Sequence, residues 1–248
     1  MNITSRLNQN PYWQMSLTSW LSLQRMPAYS LPTLLFPIMF YAFFGLVMAR
    51  GYAQPMMITF SCFGVLGTAM FAFGIGAATE RAQGWWLLLR AAPMPLPAML
   101  TGKLVAVMAF SLLIILGIAW LAALFGEVRL TTVQWLALFV VLLAGTIPFS
   151  LLGLALGLWL SPNAAPGVIN LIYLPLAFLS GLWIPVSQLP GPLQGLAEWL
   201  PPYHLAGLAL HFTGTQSGPW VLHIGVLLLF TALCAGLVAL SWRRFQGS

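Results

Sequence analysis

The sequence predicts an all-α polytopic membrane protein built as a single domain over residues 1–248. Of its 248 residues, 60% are hydrophobic and only 5% are charged, whereas a soluble domain carries about 25% charged residues. Six apolar stretches are each close to the roughly 20 residues that a helix needs to cross a hydrocarbon core. This composition excludes an ordinary soluble domain, a disordered chain and a nucleic-acid-binding protein, which needs a clustered basic surface.

The first expected element is an interfacial elbow helix within residues 10–29. Apolar side chains, among them Trp13 and Leu17, recur there at helical spacing in a segment too short and polar to span a membrane. Asn10 is the expected N-cap and Pro11 the first helical residue. A frayed tail is the alternative to such a helix on the cytoplasmic membrane surface.

The spanning helices come next, and the loops between them indicate their orientation. The six predicted spans are Leu31–Ala49, Pro55–Ala78, Leu104–Phe125, Val133–Leu160, Gly167–Ile184 and Trp220–Trp242. If the N-terminus is cytoplasmic, the inside segments hold seven basic residues, namely Arg6, Arg25, Arg81, Arg90, Lys103, Arg243 and Arg244. The outside segments hold two, Arg50 and Arg129. Because basic residues favour the cytoplasmic side, both termini are expected there.

The loop expected over residues 79–103 is the most charged cytoplasmic stretch. It begins with Glu80 and Arg81 and reaches Arg90 before prolines, Pro93 first, prevent any helix from continuing. We expect a short amphipathic helix followed by a rigid turn. The segment is either a docking surface for a soluble partner or a plain interfacial loop anchored by its tryptophans.

A second segment, residues 185–218, is expected outside, between spans five and six. Leu193 and Leu196 belong to one apolar stripe at helical spacing, and Leu205 and Leu208 begin another after Pro202. Each stripe is too short to cross a bilayer. Two short helices therefore either dip into the outer leaflet, with their backbone groups satisfied internally, or lie flat on the surface.

Motifs for ATP binding and for aspartate chemistry are absent from the sequence. A P-loop needs GxxxxGK[ST], but the Gly102-Lys103 pair has Pro97 at the first glycine position and a leucine after the lysine. The lack of any aspartate excludes aspartyl proteolysis and aspartyl-phosphate pumps. The spans contain no acidic or basic residue, and His223 is expected at interfacial depth, so ion coupling is not indicated. Transport energy would then come from a separate cytoplasmic ATPase acting on the Glu80–Arg90 stretch.

Two other classes stay open as alternatives. One is a non-transport membrane scaffold or immunity-type protein. The other is a membrane-embedded enzyme that uses Glu198, His204 and His211, although their spacing does not match a metal site, and Glu198 and His204 are expected at a wet rim. Ser180 lacks a nucleophile-elbow motif and is expected to be a packing residue.

Small residues suggest a close helix contact. Gly153 and Gly157 form a GxxxG motif, and glycines thin one face of the second span. Since six helices enclose little by themselves, a dimer with the pathway between its protomers is plausible on this pattern.

Taken together, these segments resemble the permease subunits of bacterial ABC-2-type ATP-binding-cassette exporters. The resemblance covers most of the chain, from the elbow helix over Pro11–Gln24 to the start of span six. It rests on residues after span two, in span five and before span six, namely Glu80, Arg81, Gly84, Leu89, Arg90, Pro93, Asn170, Tyr173, Pro175, Ser180, Gly181, Pro185, Leu200, Pro201, Pro202, Tyr203 and His204.

The resemblance implies a homodimer or another pair of permeases above two ATP-binding subunits, which would hold the ATP and magnesium, so that this chain is not an enzyme and binds no cofactor. It implies a coupling region made of Glu80, Arg81, Gly84, Trp85, Arg90 and Pro93. It also implies that residues 190–212 close the pathway on the outside. Our candidates for this gate or pathway are Asn170, Pro175, Ser180, Gly181, Leu193, Leu196, Tyr203 and His204. The uncharged spans favour an amphiphilic or apolar cargo and contact with membrane lipid.

Overall fold

The computed structural model describes residues 10–25, 27–48, 50–85, 96–216 and 218–246. Within these ranges the chain is helical and contains no strand. Its helices are α1 (Pro11–Gln24), α2 (Pro27–Phe40), α3 (Ala53–Ala82), α4 (Leu96–Phe125), α5 (Thr132–Trp159), α6 (Ala165–Leu179), α7 (Gly191–Ala197), α8 (Pro201–Phe212) and α9 (Trp220–Gln246). Helix α2 continues as a π-helix over Tyr41–Met48, and short 3₁₀ turns lie at Arg50–Tyr52 and Val186–Gln188.

The prediction of an all-α polytopic membrane protein is confirmed, with one difference among the spans. Among the described residues, five helical segments are long and apolar enough to cross a membrane: Ser30–Met48, Ala53–Ala82, Pro97–Phe125, Thr132–Trp159 and Trp220–Trp242. The predicted fifth span, Gly167–Ile184, is instead the 15-residue helix α6, which ends at Leu179. At 1.5 Å per residue it is about 22 Å long, less than the roughly 30 Å of a hydrocarbon core. It nevertheless runs antiparallel to α3, from Ile169 beside Gly74 to Tyr173 beside Gly67, and so returns the chain toward the opposite end of the bundle.

Helix α3 occupies the centre of the bundle, and its closest neighbour is α5. A Cβ atom added at Gly153 of α5 would lie 2.6 Å from the carbonyl oxygen of Met70, and one at Gly157 would overlap the carbonyl oxygen of Gly74. The two backbones therefore touch, as small residues in membrane helices allow. The GxxxG motif packs against α3 of the same chain, so it is not a free surface for a second protomer.

Helix α6 lies on the same glycine-rich helix. The side chain of Ile169 fills the space beside Gly74, and the Tyr173 hydroxyl occupies the place where Gly67 lacks a Cβ. That hydroxyl donates a hydrogen bond of 3.1 Å to the carbonyl oxygen of Phe63. Glycines on α3 thus position both α5 and α6.

The N-terminal elbow segment is a helix, as predicted, and not a frayed tail. The Asn10 side chain accepts a hydrogen bond of 3.0 Å from the Tyr12 amide, and Pro11 is the first helical residue. Trp20 packs against Phe110 of α4 with ring centroids 4.9 Å apart, whereas Trp13 is exposed. Helix α1 is therefore anchored on α4 by one face and presents an uncovered aromatic face.

Gly102 of α4 allows α1 to approach, and we expect Gly102→Ala to detach that helix. A Cβ at Gly102 would lie 2.7 Å from the backbone carbonyl carbon of Met15 and 2.9 Å from the amide nitrogen of Ser16. Backbone cannot rotate aside, so α1 must shift. We expect trypsin to cleave after Arg25 about tenfold faster, the equivalent of about 1.4 kcal/mol. Gly236→Ala on α9, where a Cβ meets open space, should not change the rate, and equal rates for both variants would contradict this docking mode.

Helix α8 runs alongside α5 rather than across the end of the bundle. Leu205 fills the space beside Gly145 of α5, and the Thr213 carbonyl accepts a hydrogen bond of 3.0 Å from the Gln134 side chain. Gly145 and Gln134 are eleven residues apart, or about 16 Å along the helix. This geometry agrees with the predicted helix that dips inward and disagrees with one that lies flat.

Candidate functional site

A charged cluster lies at one end of the bundle, where α3 and α5 end and α4 begins. We call it the helix-end cluster and define it as Glu80, Arg81, Lys103 and the carbonyl groups of Leu158 and Leu160. Glu80 and Lys103 form an ion pair whose side chains are 27% and 13% exposed, respectively. The two arginine nitrogens Nη1 and Nη2 of Arg81 donate to the carbonyl oxygens of Leu158 (2.6 Å) and Leu160 (2.8 Å).

Arg81 satisfies the end of α5 in two ways. The last four carbonyl groups of a helix have no partner within it, and they carry the negative end of the helix dipole. A guanidinium presents several N–H donors in a fixed fork, so one side chain bonds two of these carbonyl oxygens and places a positive charge beside them. The helix-end cluster therefore joins the end of α3 to α4 through Glu80 and to α5 through Arg81.

The connection predicted over residues 79–103 is shorter in the structure. Glu80 and Arg81 belong to the last turn of α3, and Lys103 lies in α4, so the connection runs from residue 83 to residue 95. It starts with a turn in which Gly84 has φ +73° and its amide donates to the Arg81 carbonyl oxygen. The next residue, Trp85, is exposed. Arg90 and Pro93 lie outside the described residues.

The candidate pathway residues on α6 divide into two groups. Asn170 and Pro175 lie on its exposed face, beside Leu171, which is 74% exposed. The opposite face carries Tyr173 and packs on α3. An amide on an uncovered face of an apolar helix is costly in lipid, so this face is a better candidate for a pathway than for lipid contact.

Ser180 and Gly181 form the turn that ends α6. Ser180 is buried and its hydroxyl has no hydrogen-bond partner among the described residues. Gly181 has φ +76°, and a Cβ there would lie 2.5 Å from Cγ2 of Val186. The prediction that Ser180 is a packing residue agrees with this burial. On α7, Leu193 is half-buried and Leu196 is exposed.

His204 is buried, and the expectation that it lies at a wet rim is wrong. Its side chain is 3% exposed, whereas Glu198 is exposed. The reason is that α8 enters the bundle, which brings His204 against His223 of α9, with 2.9 Å between their Nδ1 atoms. The other ring nitrogen of His204, Nε2, lies 2.8 Å from the Glu198 carbonyl oxygen. Burial lowers the pKa of the His204 imidazole, an effect that the hydrogen bond and the charge of Glu198 oppose.

Sequence analysis did not predict which side chains contact Glu80 and His204. The sequence predicts Lys103 in a loop and His223 at the membrane interface, whereas the structure pairs Lys103 with Glu80 and His223 with His204. No spacing signal links His204 to His223, which are nineteen residues apart across a loop. For Glu80 a weak signal existed, because a carboxylate near the membrane favours the nearest basic residue on the following helix.

The fold and the site together define a polytopic membrane protein of the permease class. Long apolar helices pack on a central helix, a re-entrant helix lies at one end of the bundle, and a charged cluster lies at the other. The chain belongs to the ABC-2 type transporter family, whose pattern it matches over residues 11–213. This match begins with α1 and ends directly after α8, so it includes both the helix-end cluster and the re-entrant helix.

A similar protein in Bacillus subtilis (strain 168) is described as "Putative transport permease YvfS". The two chains are 29% identical over 210 residues, which covers 81% of this chain and 86% of the relative. The predicted membership of the ABC-2 permeases is therefore confirmed, and this chain is a multi-pass transport permease.

Proposed function

We propose that the chain is the membrane-spanning subunit of an ATP-driven exporter, powered by a separate ATP-binding subunit that docks on the connection over residues 83–95. The observation that carries the proposal is the helix-end cluster. Glu80 and Lys103 lie on the two helices that flank this connection, and their ion pair joins those helices. A displacement of the connection would move α3 and α4 together and, through Arg81, α5.

The translocation pathway, on this proposal, lies between two copies of the permease. The exposed face of α6 with Asn170 would face it, together with the re-entrant helices α7 and α8 at the outer end. An uncovered amide beside apolar side chains suits an amphiphilic or apolar cargo better than a strongly charged one. The exposed leucines of α9, such as Leu229 and Leu233, would contact lipid.

The proposed setting is the bacterial inner membrane with both termini in the cytoplasm. The helix-end cluster and α1 would then face the cytoplasm, and His204 the outside. Reporter fusions after Arg50 and after Gly214 should report an outside location, and a fusion after Pro95 an inside one. A cytoplasmic signal from the fusion after Gly214 would overturn this topology.

No observation favours the enzyme alternative. His204 is engaged by His223 and the Glu198 backbone, and no group of three metal-ligating side chains occurs within the part of the chain that the structure describes. The scaffold alternative gives no reason for a partly buried charged cluster next to the connection.

The test of coupling is Glu80→Gln in the permease copurified with its ATP-binding subunit. The substitution leaves the poorly exposed Lys103 charge without its partner, so the flanking helices lose their link. We expect the ATP-binding subunit to remain bound while permease-dependent ATP hydrolysis in proteoliposomes falls about tenfold, which corresponds to about 1.4 kcal/mol.

The matched control is Glu127→Gln, an exposed carboxylate at the opposite end of the bundle, which should leave hydrolysis unchanged. The double substitution Glu80→Lys with Lys103→Glu should restore part of the activity, because it restores an ion pair. If no ATP-binding subunit copurifies and hydrolysis does not respond to Glu80→Gln, the proposed function is wrong.

A further inference from the structure

Two buried imidazoles on different helices contact each other at the inner side of α8. His204 on α8 and His223 on α9 are 3% and 8% exposed, and their Nδ1 atoms are 2.9 Å apart. Their ring centroids are 5.1 Å apart. We call this contact the histidine pair. It is a direct side-chain hydrogen bond between the re-entrant helix and the last span.

The hydrogen bonds assign the protons of the neutral pair. The Glu198 carbonyl oxygen can only accept, so the proton of His204 is on Nε2, which donates to it over 2.8 Å. Nδ1 of neutral His204 is then an acceptor, and Nδ1 of His223 must donate to it. Nε2 of His223 is then the one ring nitrogen of the pair that carries no proton and takes part in neither of these two hydrogen bonds.

This arrangement accepts one proton but not two. A proton added to Nε2 of His223 leaves the Nδ1–H donor in place and strengthens its hydrogen bond by adding charge. A second proton has to enter at Nδ1 of His204, where it would face the Nδ1–H group of His223 at a distance made for one hydrogen. Two positive charges would also lie about 5 Å apart in a poorly solvated site.

The rings cannot turn away while the helices stay in contact. A Cβ at Gly207 of α8 would lie 2.7 Å from Cε1 and 2.8 Å from Nε2 of His223, so the backbone of α8 covers one face of that ring. The Tyr203 ring packs against both imidazoles, with centroids 5.4 Å and 6.1 Å away. Relief of the repulsion therefore requires α8 to move away from α9.

The other titratable groups around the pair are few. Helix α8 contributes Tyr203 and His211, and Glu198 lies just beyond α7. Helix α5, which packs against both α8 and α9, has no titratable side chain. On α3, Glu80 and Arg81 lie at the opposite end of the bundle and Cys62 is a buried thiol; on α9, Cys234 lies eleven residues beyond His223. Among the residues that the structure describes, Glu198 is the group that can offset positive charge near the pair, and it is exposed.

We propose that the histidine pair is a buried site for a single proton and that uptake of a second proton releases α8 from α9. Beyond the protons of the two neutral rings, the closed pair holds at most one proton and the separated, hydrated imidazoles hold two, so acid favours separation. Below the ordinary histidine value of about 6.5, the ratio of separated to closed molecules should rise at least about tenfold per pH unit, because the separated rings bind at least one proton more. The proton response of the histidine pair does not depend on the proposed function. In the proposed topology, the pair would respond to the pH outside the cell.

The distance between α8 and α9 tests the proposal in the full-length permease in nanodiscs. Spin labels at F212C on α8 and L229C on α9, both exposed positions, report on it when Cys62 and Cys234 are replaced by alanine. We expect one distance from pH 8 to 6.5 and a second, longer one below that, with the ratio of the second population to the first growing at least about tenfold per pH unit. A distribution that does not change down to pH 4.5 would overturn the proposal.

Matched variants separate the proton site from a merely structural contact. His223→Asn keeps an N–H donor for His204 and, by turning its amide, an acceptor for protonated His204, so it should stay closed at every pH. His223→Leu removes the donor and should be at least about tenfold more separated at pH 8. His211→Asn, outside the pair, should respond to acid as the unmodified chain does. An acid response retained in His223→Asn contradicts the proposal.

The third readout needs no variant of the pair. The chain has three histidines, and ¹⁵N shifts of the labelled imidazoles, assigned with His211→Asn, report the proton positions. At pH 8 we expect the Nε2–H form for His204 and the Nδ1–H form for His223. The opposite assignment for either ring would overturn the proposal even if His223→Leu does not fold.

Discussion

Gly157→Ala should lower the apparent melting temperature of the purified permease by about 2–12 °C. The added methyl group would overlap the carbonyl oxygen of Gly74 and lie 3.0 Å from Cβ of Ala77. Since the opposing atoms are backbone atoms of the central helix, the clash is relieved only if α5 and α3 separate along their length. Overpacking of this kind costs about 1–3 kcal/mol, and each kcal/mol shifts the melting temperature of a chain of this size by about 2–4 °C.

The control for this prediction is Gly167→Ala in the neighbouring helix α6, where a Cβ meets nothing within 4 Å. Alanine is favoured over glycine in a helix by about 1 kcal/mol, so this variant should be unchanged or more stable. Thermal unfolding followed by size-exclusion chromatography measures both variants. Equal melting temperatures would mean that α3 and α5 do not meet at their glycines.

Arg81→Ala should reduce both the stability of the fold and the coupling of ATP hydrolysis to transport. The substitution removes two hydrogen bonds to the Leu158 and Leu160 carbonyl oxygens. Hydrogen bonds that involve a charged group contribute about 1.5–3 kcal/mol each. It also leaves the dipole of α5 without its neighbouring cation. We expect a loss of about 3 kcal/mol and, in proteoliposomes, transport that falls more steeply than ATP hydrolysis.

Two substitutions make this result specific. Arg81→Lys retains the charge but presents a point-like ammonium instead of a forked guanidinium. Its stability and its transport activity should therefore lie between those of Arg81→Ala and those of the unmodified chain. Arg129→Ala, an exposed position beyond the opposite end of α4, should change neither quantity. If Arg81→Lys is as stable as the unmodified chain and transports equally well, the two-carbonyl cap is not what Arg81 contributes.

Hydropathy was sufficient to predict most of the helices but not their lengths or partners. Apolar residues indicate which segments are removed from water. The predicted bounds of α3, α4, α5 and α9 therefore agree with the structure to within a few residues at one end and up to eight at the other. Helix α6 ends at Leu179 because Gly181 adopts a left-handed conformation. Apolar residues continue beyond this turn, so hydropathy does not locate the end of the helix. The extension of α3 to Ala82 includes Glu80 and Arg81, whose charges suggested a loop.

The candidate site shows the same limit. Charge in an otherwise uncharged chain directed attention to Glu80 and Arg81, but nothing in the sequence shows that a guanidinium bonds the end of a helix 77 and 79 residues away. Every residue has a backbone carbonyl group, so the sequence does not indicate which of them accepts a hydrogen bond from a side chain. The histidine pair needs two helices to converge, which only the packing of α8 into the bundle provides.

Helices α3 and α4 each have 30 residues, which makes each about 45 Å long. A hydrocarbon core is about 30 Å thick, and an ordinary tilt takes up only a few ångströms of the difference. A surplus of about two turns therefore extends beyond the hydrocarbon core, and the cost of placing charges in hydrocarbon favours the end where the helix-end cluster joins the two helices. A soluble partner could then reach this cluster without entering the bilayer, and shortening both helices by one turn would bury the same charges in hydrocarbon.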